Sequence, residues 1–129
     1  MARAQTRPRR KATGGRYHFF RTKRKYELAG YPANTKLDKE RQVRRDRVRA
    51  GHLKQVILSA NQISVSDPQG KTTKTEILNV VENPANPNLV RRNIITKGCV
   101  VETPLGKVRV TSRPGQGGSL SGMMVAAAA

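Results

Sequence analysis

The sequence predicts a mainly β protein: a small closed β-barrel of short antiparallel strands, preceded by an extended basic N-terminal segment. Three observations carry this reading. From about residue 40 onward, apolar residues recur with a period of two in short runs. Gly/Pro turns separate those runs at short intervals, the spacing of a small closed sheet. Residues 9 to 27, RRKATGGRYHFFRTKRKYE, hold no acidic side chain before Glu27, and Pro8 with Gly14-Gly15 interrupts any amphipathic helix there.

Residues 37 to 49, LDKERQVRRDRVR, contain good helix formers, yet Val43 and Val48 build no helical stripe and Arg47-Val48-Arg49 alternates as a strand would. The segment reads as a basic edge strand. Its charges suit two roles, protection of an open sheet edge or contact with RNA, and the residues alone do not choose between them. Next, Val56, Leu58 and Ala60 alternate with Ile57, Ser59 and Asn61, whereas Ile63 and Val65 alternate with Ser64 and Ser66. The parity slips near Asn61-Gln62, which predicts a bulge or a change of direction. Asp67-Pro68-Gln69-Gly70 is a turn, after which residues 71 to 82 return as a strand. Asn83-Pro84-Ala85-Asn86-Pro87-Asn88 is a stiff, extended loop, because residues before proline are kept out of the helical region. Lys97-Gly98 leads into Cys99-Val100-Val101-Glu102. Thr103-Pro104-Leu105-Gly106 turns the chain, and Lys107-Val108-Arg109-Val110-Thr111 places both valines on one face. The domain organisation is then residues 1–39 as tail, 40–125 as barrel, and an alanine run, 126–129, with no assigned role.

Charge bounds the function. The chain has 26 Lys+Arg against 8 Asp+Glu in 129 residues, a net charge of +18, so its partner is a polyanion. The excess is lopsided: residues 1 to 54 hold 18 basic and 4 acidic side chains, residues 55 to 129 hold 8 and 4. No run of about 18 apolar residues exists for a membrane span, and no apolar signal stretch is present. Cys99, the single cysteine, lies far in sequence from His18 and His52, makes no metal-ligand spacing, and reads as a small buried hydrophobe. Gly115-Gln116-Gly117 begins a dinucleotide fingerprint but Leu120 stands where its third glycine belongs, and no phosphate-loop or nucleophile-elbow motif occurs. Asp38, Glu40 and Asp46 lie among arginines and read as ion-paired. The expectation is therefore a binding protein: no enzyme, no cofactor, no metal, no small-molecule substrate and no membrane partner.

Four segments carry a family resemblance: RRKATGG with KRKYEL, then YPANTK, then VVENPANPNLVRRNIITKG, then VTSRPGQGG. In this order and spacing the chain, from about Arg9 to Val125, resembles the small ribosomal subunit protein number eight of the archaeal and eukaryotic type. The resemblance implies a β-barrel with a basic N-terminal extension, a structural constituent of the small subunit in the cytoplasm, bound to its ribosomal RNA beside neighbouring ribosomal proteins. Eukaryotic members carry a large helical insertion at the place of Thr103 to Gly106, where this chain has a bare turn, so it looks like the compact archaeal form. It departs from the family pattern at Ala29-Gly30 and at Arg49-Ala50-Gly51-His52, where a Gly-Gly-Asn-like turn is usual. A ribosome-assembly factor with a related barrel and a DNA-compacting basic protein are the rival readings of the same charge.

The residues expected to meet RNA follow from charge and stiffness. In the tail they are Arg7, Arg9, Arg10, Lys11, Arg16, Arg21, Lys23, Arg24 and Lys25, which neutralise phosphates, with Gly14 and Gly15 allowing close backbone approach or serving as linker, and Tyr26. Tyr17, Phe19, Phe20 and Tyr26 are four of the five aromatic residues in the chain and suit either base stacking or docking of the tail. In the barrel they are Arg91, Arg92, Asn93 and Lys97, directly after the stiff loop, and Arg113 in the Gly-rich loop Ser112 to Gly118, a phosphate cradle or a turn between strands that requires positive φ.

Overall fold

A computed structural model describes residue 4 and residues 6–125; the alanines at 126–129 lie outside the described residues. The chain divides into two compact units, Met1–Pro32 and Ala33–Ala129. The second unit carries the strands: β1 Lys36–Leu37, β2 Gln42–Arg47, β3 Leu53–Ala60, β4 Gln62–Ser66, β5 Thr72–Glu76, β6 Asn79–Glu82, β7 Val100–Thr103, β8 Gly106–Val110 and β9 Ser121–Met124. β1 thus lies N-terminal to the boundary at 39/40 drawn from the sequence.

The strands form two sheets. β1, β3 and β2 make a three-stranded sheet in that order, and β5-β4-β9-β8-β7-β6 make a six-stranded one. β2 is an edge strand, as expected, but it covers only Gln42–Arg47 of residues 37–49, and the alternating Val48 and Arg49 lie past its end. The parity slip near Asn61 is the point where the chain passes from sheet to sheet, β3 pairing with β1 and β2 and β4 with β5 and β9. The slip lets Ile57 and Ala60 on one side, and Ile63 and Val65 on the other, reach the same core.

The expected closed barrel of antiparallel strands is instead a curled half-barrel. Residues 71 to 82 are two strands, β5 and β6, at opposite edges of the six-stranded sheet. Only Ile77 and Leu78 join them, and their amides donate sideways, Ile77 N to Asn61 O at 2.7 Å and Leu78 N to Glu102 O at 2.8 Å. The sheet curls until its edges meet at this bend, but no ladder forms between them among the described residues. Two pairings are also parallel, β1 with β3 and β4 with β9. The second follows from β9, which the sequence does not announce because SGMM lacks apolar alternation. Gly122 sits opposite Val65 on β4 and Val110 on β8. A Cβ there would stand 2.5 Å from Val108 Cγ1 and 2.8 Å from Arg109 O, so the strand fits only as glycine.

Inside the curl, Ile63, Val65, Val80, Val101, Val108 and Val110 pack with Ile57, Ile77, Ile95 and Leu120, each buried side chain contributing about 1.5–3 kcal/mol. Val108 and Val110 share the inner face as their alternation predicts. Cys99 is fully buried among them, and burial pushes its thiol pKa up. The turn at Asp67 closes through Gly70 N to Asp67 O at 2.9 Å, with Gly70 at φ 86°.

Candidate nucleic-acid interface

The sequence of residues 1–32 has ten basic residues and one carboxylate, Glu27. Arg10 and Arg16 form an antiparallel bridge, and Lys11 N donates to Gly15 O at 2.8 Å and Gly14 N to Lys11 O at 3.0 Å. Gly14, at φ 86°, closes this turn, a use beyond the close approach or linker expected for it. Arg9 O accepts from Tyr17 N at 3.1 Å. Arg7 lies 4.2 Å over the Tyr17 ring and donates to His18 O, while Lys11 Nζ is 5.5 Å from the same ring. Arg21 forks onto Glu27, whose Oε2 also accepts from Arg24 N at 3.1 Å. That backbone donor first, and the Arg21 guanidinium second, hold the Glu27 carboxyl below the ordinary carboxylate range. Lys25 and Tyr26 belong to the short 3₁₀ turn Lys25–Glu27, and Lys23 lies just before it. Phe19 and Phe20 are 82% and 86% exposed, and the Arg21 guanidinium lies 5.0 Å over the Phe20 ring.

The barrel candidates sit on a different element from the one expected. Asn83 is buried, and its Oδ1 accepts from Ala85 N and Thr96 Oγ1, fixing the loop. Asn86, extended at φ −163°, then caps a 3₁₀ helix, Pro87–Arg92, by accepting from Asn88 N at 3.0 Å. Arg91 and Arg92 lie in its last turn, and Asn93 ends it in the left-handed conformation at φ 49°. A third basic residue joins Arg91 and Arg92 across the chain. Leu37 N donates to Asn93 O at 3.0 Å and Lys36 bridges Ile94, so Lys36, which the sequence did not single out, stands beside Asn93. Lys97 follows at the Thr96 to Cys99 turn, where Gly98 has φ 88°.

Arg113 is held elsewhere, against β3. Pro114 O accepts from Ile57 N at 2.9 Å, Arg41 donates to Gly118 O, and Lys54 Nζ donates to Gln116 Oε1 at 2.9 Å. In this Gly-rich loop the Gln116 and Gly117 amides both donate to Arg113 O, so two donors of the suggested phosphate cradle are used inside the turn. None of Gly115, Gly117 and Gly118 has positive φ. Gly118 lies close against β3 instead: a Cβ there would displace the end of the exposed Gln55 side chain.

A family model described as ribosomal protein S8e matches residues 4–125, all but the ends of the chain. The chain belongs to this family. It is a ribosomal protein, cytoplasmic within the ribosome, a structural component and not an enzyme. Relatives named small ribosomal subunit protein eS8 agree. That of Methanobrevibacter smithii is 47% identical over 126 residues, 97% of this chain and 100% of its own. That of Staphylothermus marinus is 46% identical over 126 residues, 97% of this chain and 98% of its own, and that of Nanoarchaeum equitans 45% over 122 residues, 94% and 95%.

One departure from the family pattern can now be placed. Arg49-Ala50-Gly51 is the tip joining β2 to β3, with Ala50 at φ 60° and Gly51 at φ 76°. Both residues of this tip are left-handed, a conformation that glycine adopts freely and alanine only at a cost.

Proposed function

We propose that the chain binds and stabilises the ribosomal RNA of the small subunit, as a structural constituent beside neighbouring ribosomal proteins, through its basic tail and through the surface bearing Lys36, Arg91, Arg92, Asn93 and Lys97. The carrying observation is the excess of positive charge over internal carboxylates: ten basic residues against Glu27 in the tail, and, at the end of the 3₁₀ helix, the Arg91 and Arg92 side chains with neither hydrogen bond nor ion pair among the described residues. Cations of this kind neutralise phosphates and release condensed counterions. The Asn83–Asn86 loop, fixed by its own hydrogen bonds, and the 3₁₀ helix that Asn86 caps present Arg91 and Arg92 pre-shaped, so less entropy is lost when they bind. Arg113, on the loop against β3, belongs to the same reading as a phosphate contact.

Salt-dependent binding to small-subunit ribosomal RNA tests this. Arg91→Ala with Arg92→Ala lowers affinity and reduces the salt slope by about 0.7–0.9 for each phosphate no longer neutralised. Lys71→Ala with Lys74→Ala removes the same charge from a place with no stiff loop, and equal losses of affinity from the two pairs refute a specific site. Fractionation separates the rivals: one copy per salt-washed small subunit supports the proposal, presence only on precursors indicates an assembly factor, and retention with the nucleoid a DNA binder.

A further inference from the structure

The hairpin β2–β3 projects from the three-stranded sheet with nearly everything on it in solvent. Val56, Ile57, Ser59 and Ala60 anchor its base, while Arg44, Arg45, Arg47, Arg49, His52, Leu53, Lys54 and Gln55 are exposed. Because successive side chains on a strand point to opposite faces, the two faces of this arm can be compared. On one, Arg44 is ion-paired to Asp46 at 2.9 Å, Asp46 stands opposite Lys54, and Lys54 donates to Gln116. That face is internally answered. On the other, Arg45 and Arg47 stand opposite Gln55 and Leu53, with no carboxylate on the face, and Arg49 follows at the tip. Among the described residues the Arg45, Arg47 and Arg49 side chains make no hydrogen bond or ion pair. Leu53, beside Arg47, leaves 66% of its surface in water.

The six-stranded sheet supplies the contrast. Its outer face carries Lys74, Lys107 and Arg109 but also Glu76, Glu82 and Glu102, with Glu102 directly opposite Lys107. Edge protection alone would be met by scattered charges of either sign. A one-signed row of three arginines, the first two about 7 Å apart along one face, is a different pattern and matches a row of phosphates.

We propose that the Arg45/Arg47/Arg49 face of the β2–β3 arm is a further binding surface for ribosomal RNA, distinct from the tail and from the Arg91–Lys97 surface. The arginines fork onto successive phosphates of one strand, and Leu53 covers sugar between them. This rests on the RNA-binding reading above and adds a surface that the resemblance does not single out.

The test uses the full chain and small-subunit ribosomal RNA transcribed in vitro. Arg45→Ser, Arg47→Ser and Arg49→Ser together lower affinity at least about tenfold and reduce the salt slope by about 2, the sum for three phosphates. Lys74→Ser, Lys107→Ser and Arg109→Ser remove the same charge from the outer face of the six-stranded sheet and lower affinity several-fold less. A second measurement does not depend on the triple variant folding. Cys99 is the only native cysteine and is buried, so a hydroxyl-radical source tethered at His52→Cys sits at the arm tip alone and cuts the RNA at a compact site, whereas one at Thr72→Cys gives no such site. Equal losses of affinity from both triple variants, or no cuts from position 52 in a protein that binds normally, overturn the arm. Failure of the unsubstituted chain to bind the RNA overturns the wider reading, and the arm with it.

Discussion

Replacing Gly122 by alanine puts one methyl group into the tightest place in the curled sheet. β9 lies between β4 and β8, and the new Cβ would stand 2.5 Å from Val108 Cγ1, 2.8 Å from Arg109 O and 3.1 Å from Ile63 Cδ1. The valine methyl can turn only by leaving its rotamer in a packed core, and the Arg109 carbonyl is backbone and cannot turn at all. The strand must therefore move outward, which loosens its ladders to Val65 and Val110. Overpacking of this kind costs about 1–3 kcal/mol. A loss of about 2 kcal/mol lowers the melting temperature of a domain near 100 residues by roughly 8–16 °C. The assay is urea unfolding followed by far-UV circular dichroism, where the midpoint falls at unchanged slope if only stability has changed. Gly117→Ala is the control, because a Cβ there meets nothing nearer than Arg113 O at 3.9 Å, and its midpoint moves by less than about 0.5 kcal/mol equivalent. Equal midpoints for the two variants would refute the account of why β9 can lie parallel to β4.

Ala50→Gly relieves the left-handed strain at the β2–β3 tip; after the added chain entropy of glycine the gain is about 0.5 kcal/mol, read as a higher urea midpoint, and a lower midpoint contradicts the φ of 60° found there. The Glu27 carboxyl has a lowered folded pKa, so its contribution to the Arg21–Arg24 turn is fully present above the ordinary carboxylate range and is lost as pH falls through the lower folded value; the Arg24 amide proton shift followed by NMR reports the midpoint, and titration at or above the ordinary range refutes the pairing. Removal of residues 1–32 leaves every core residue in place, so the remaining chain unfolds in one cooperative transition but binds ribosomal RNA far more weakly; a broad, non-cooperative transition counts against two separate units.

The strands legible in the sequence are those whose side chains alternate between core and solvent: Val108 and Val110, Ile63 and Val65, and the slip at Asn61 that moves the chain between sheets. Each is a local pattern. β9 was not legible, because a glycine that fits by lacking a side chain leaves no hydrophobic signal of its own. Residues 71 to 82 read as one strand because Ile77 and Leu78 contain nothing that breaks a strand; the division comes from the amides of this pair bonding to Asn61 and Glu102, partners 16 and 24 positions away. At the candidate interface, the sequence supplied the cations and the stiff loop before Arg91, and the 3₁₀ helix that carries Arg91 and Arg92 was hidden behind the two Asn-Pro steps that suggested extension. Lys36 was missed because its neighbour Asn93 is distant in the chain. The arginines of β2 read as an edge strand whose two roles the sequence does not separate, since which of them is cancelled by Asp46 depends on face and register.

What the sequence determined by itself is therefore the composition of each surface and the local period of each strand: a polycationic N-terminal half, a β-rich remainder, and membership of a family through long, unusual segments. Only the tertiary structure decided that the sheet stays open, that β4 and β9 run parallel, and that Arg45 and Arg47 share a face without a carboxylate. The physical reason is that charge and periodicity are properties of neighbouring residues, whereas closure, register and the cancellation of one charge by another are settled by hydrogen bonds and packing between segments that meet only when the chain is folded.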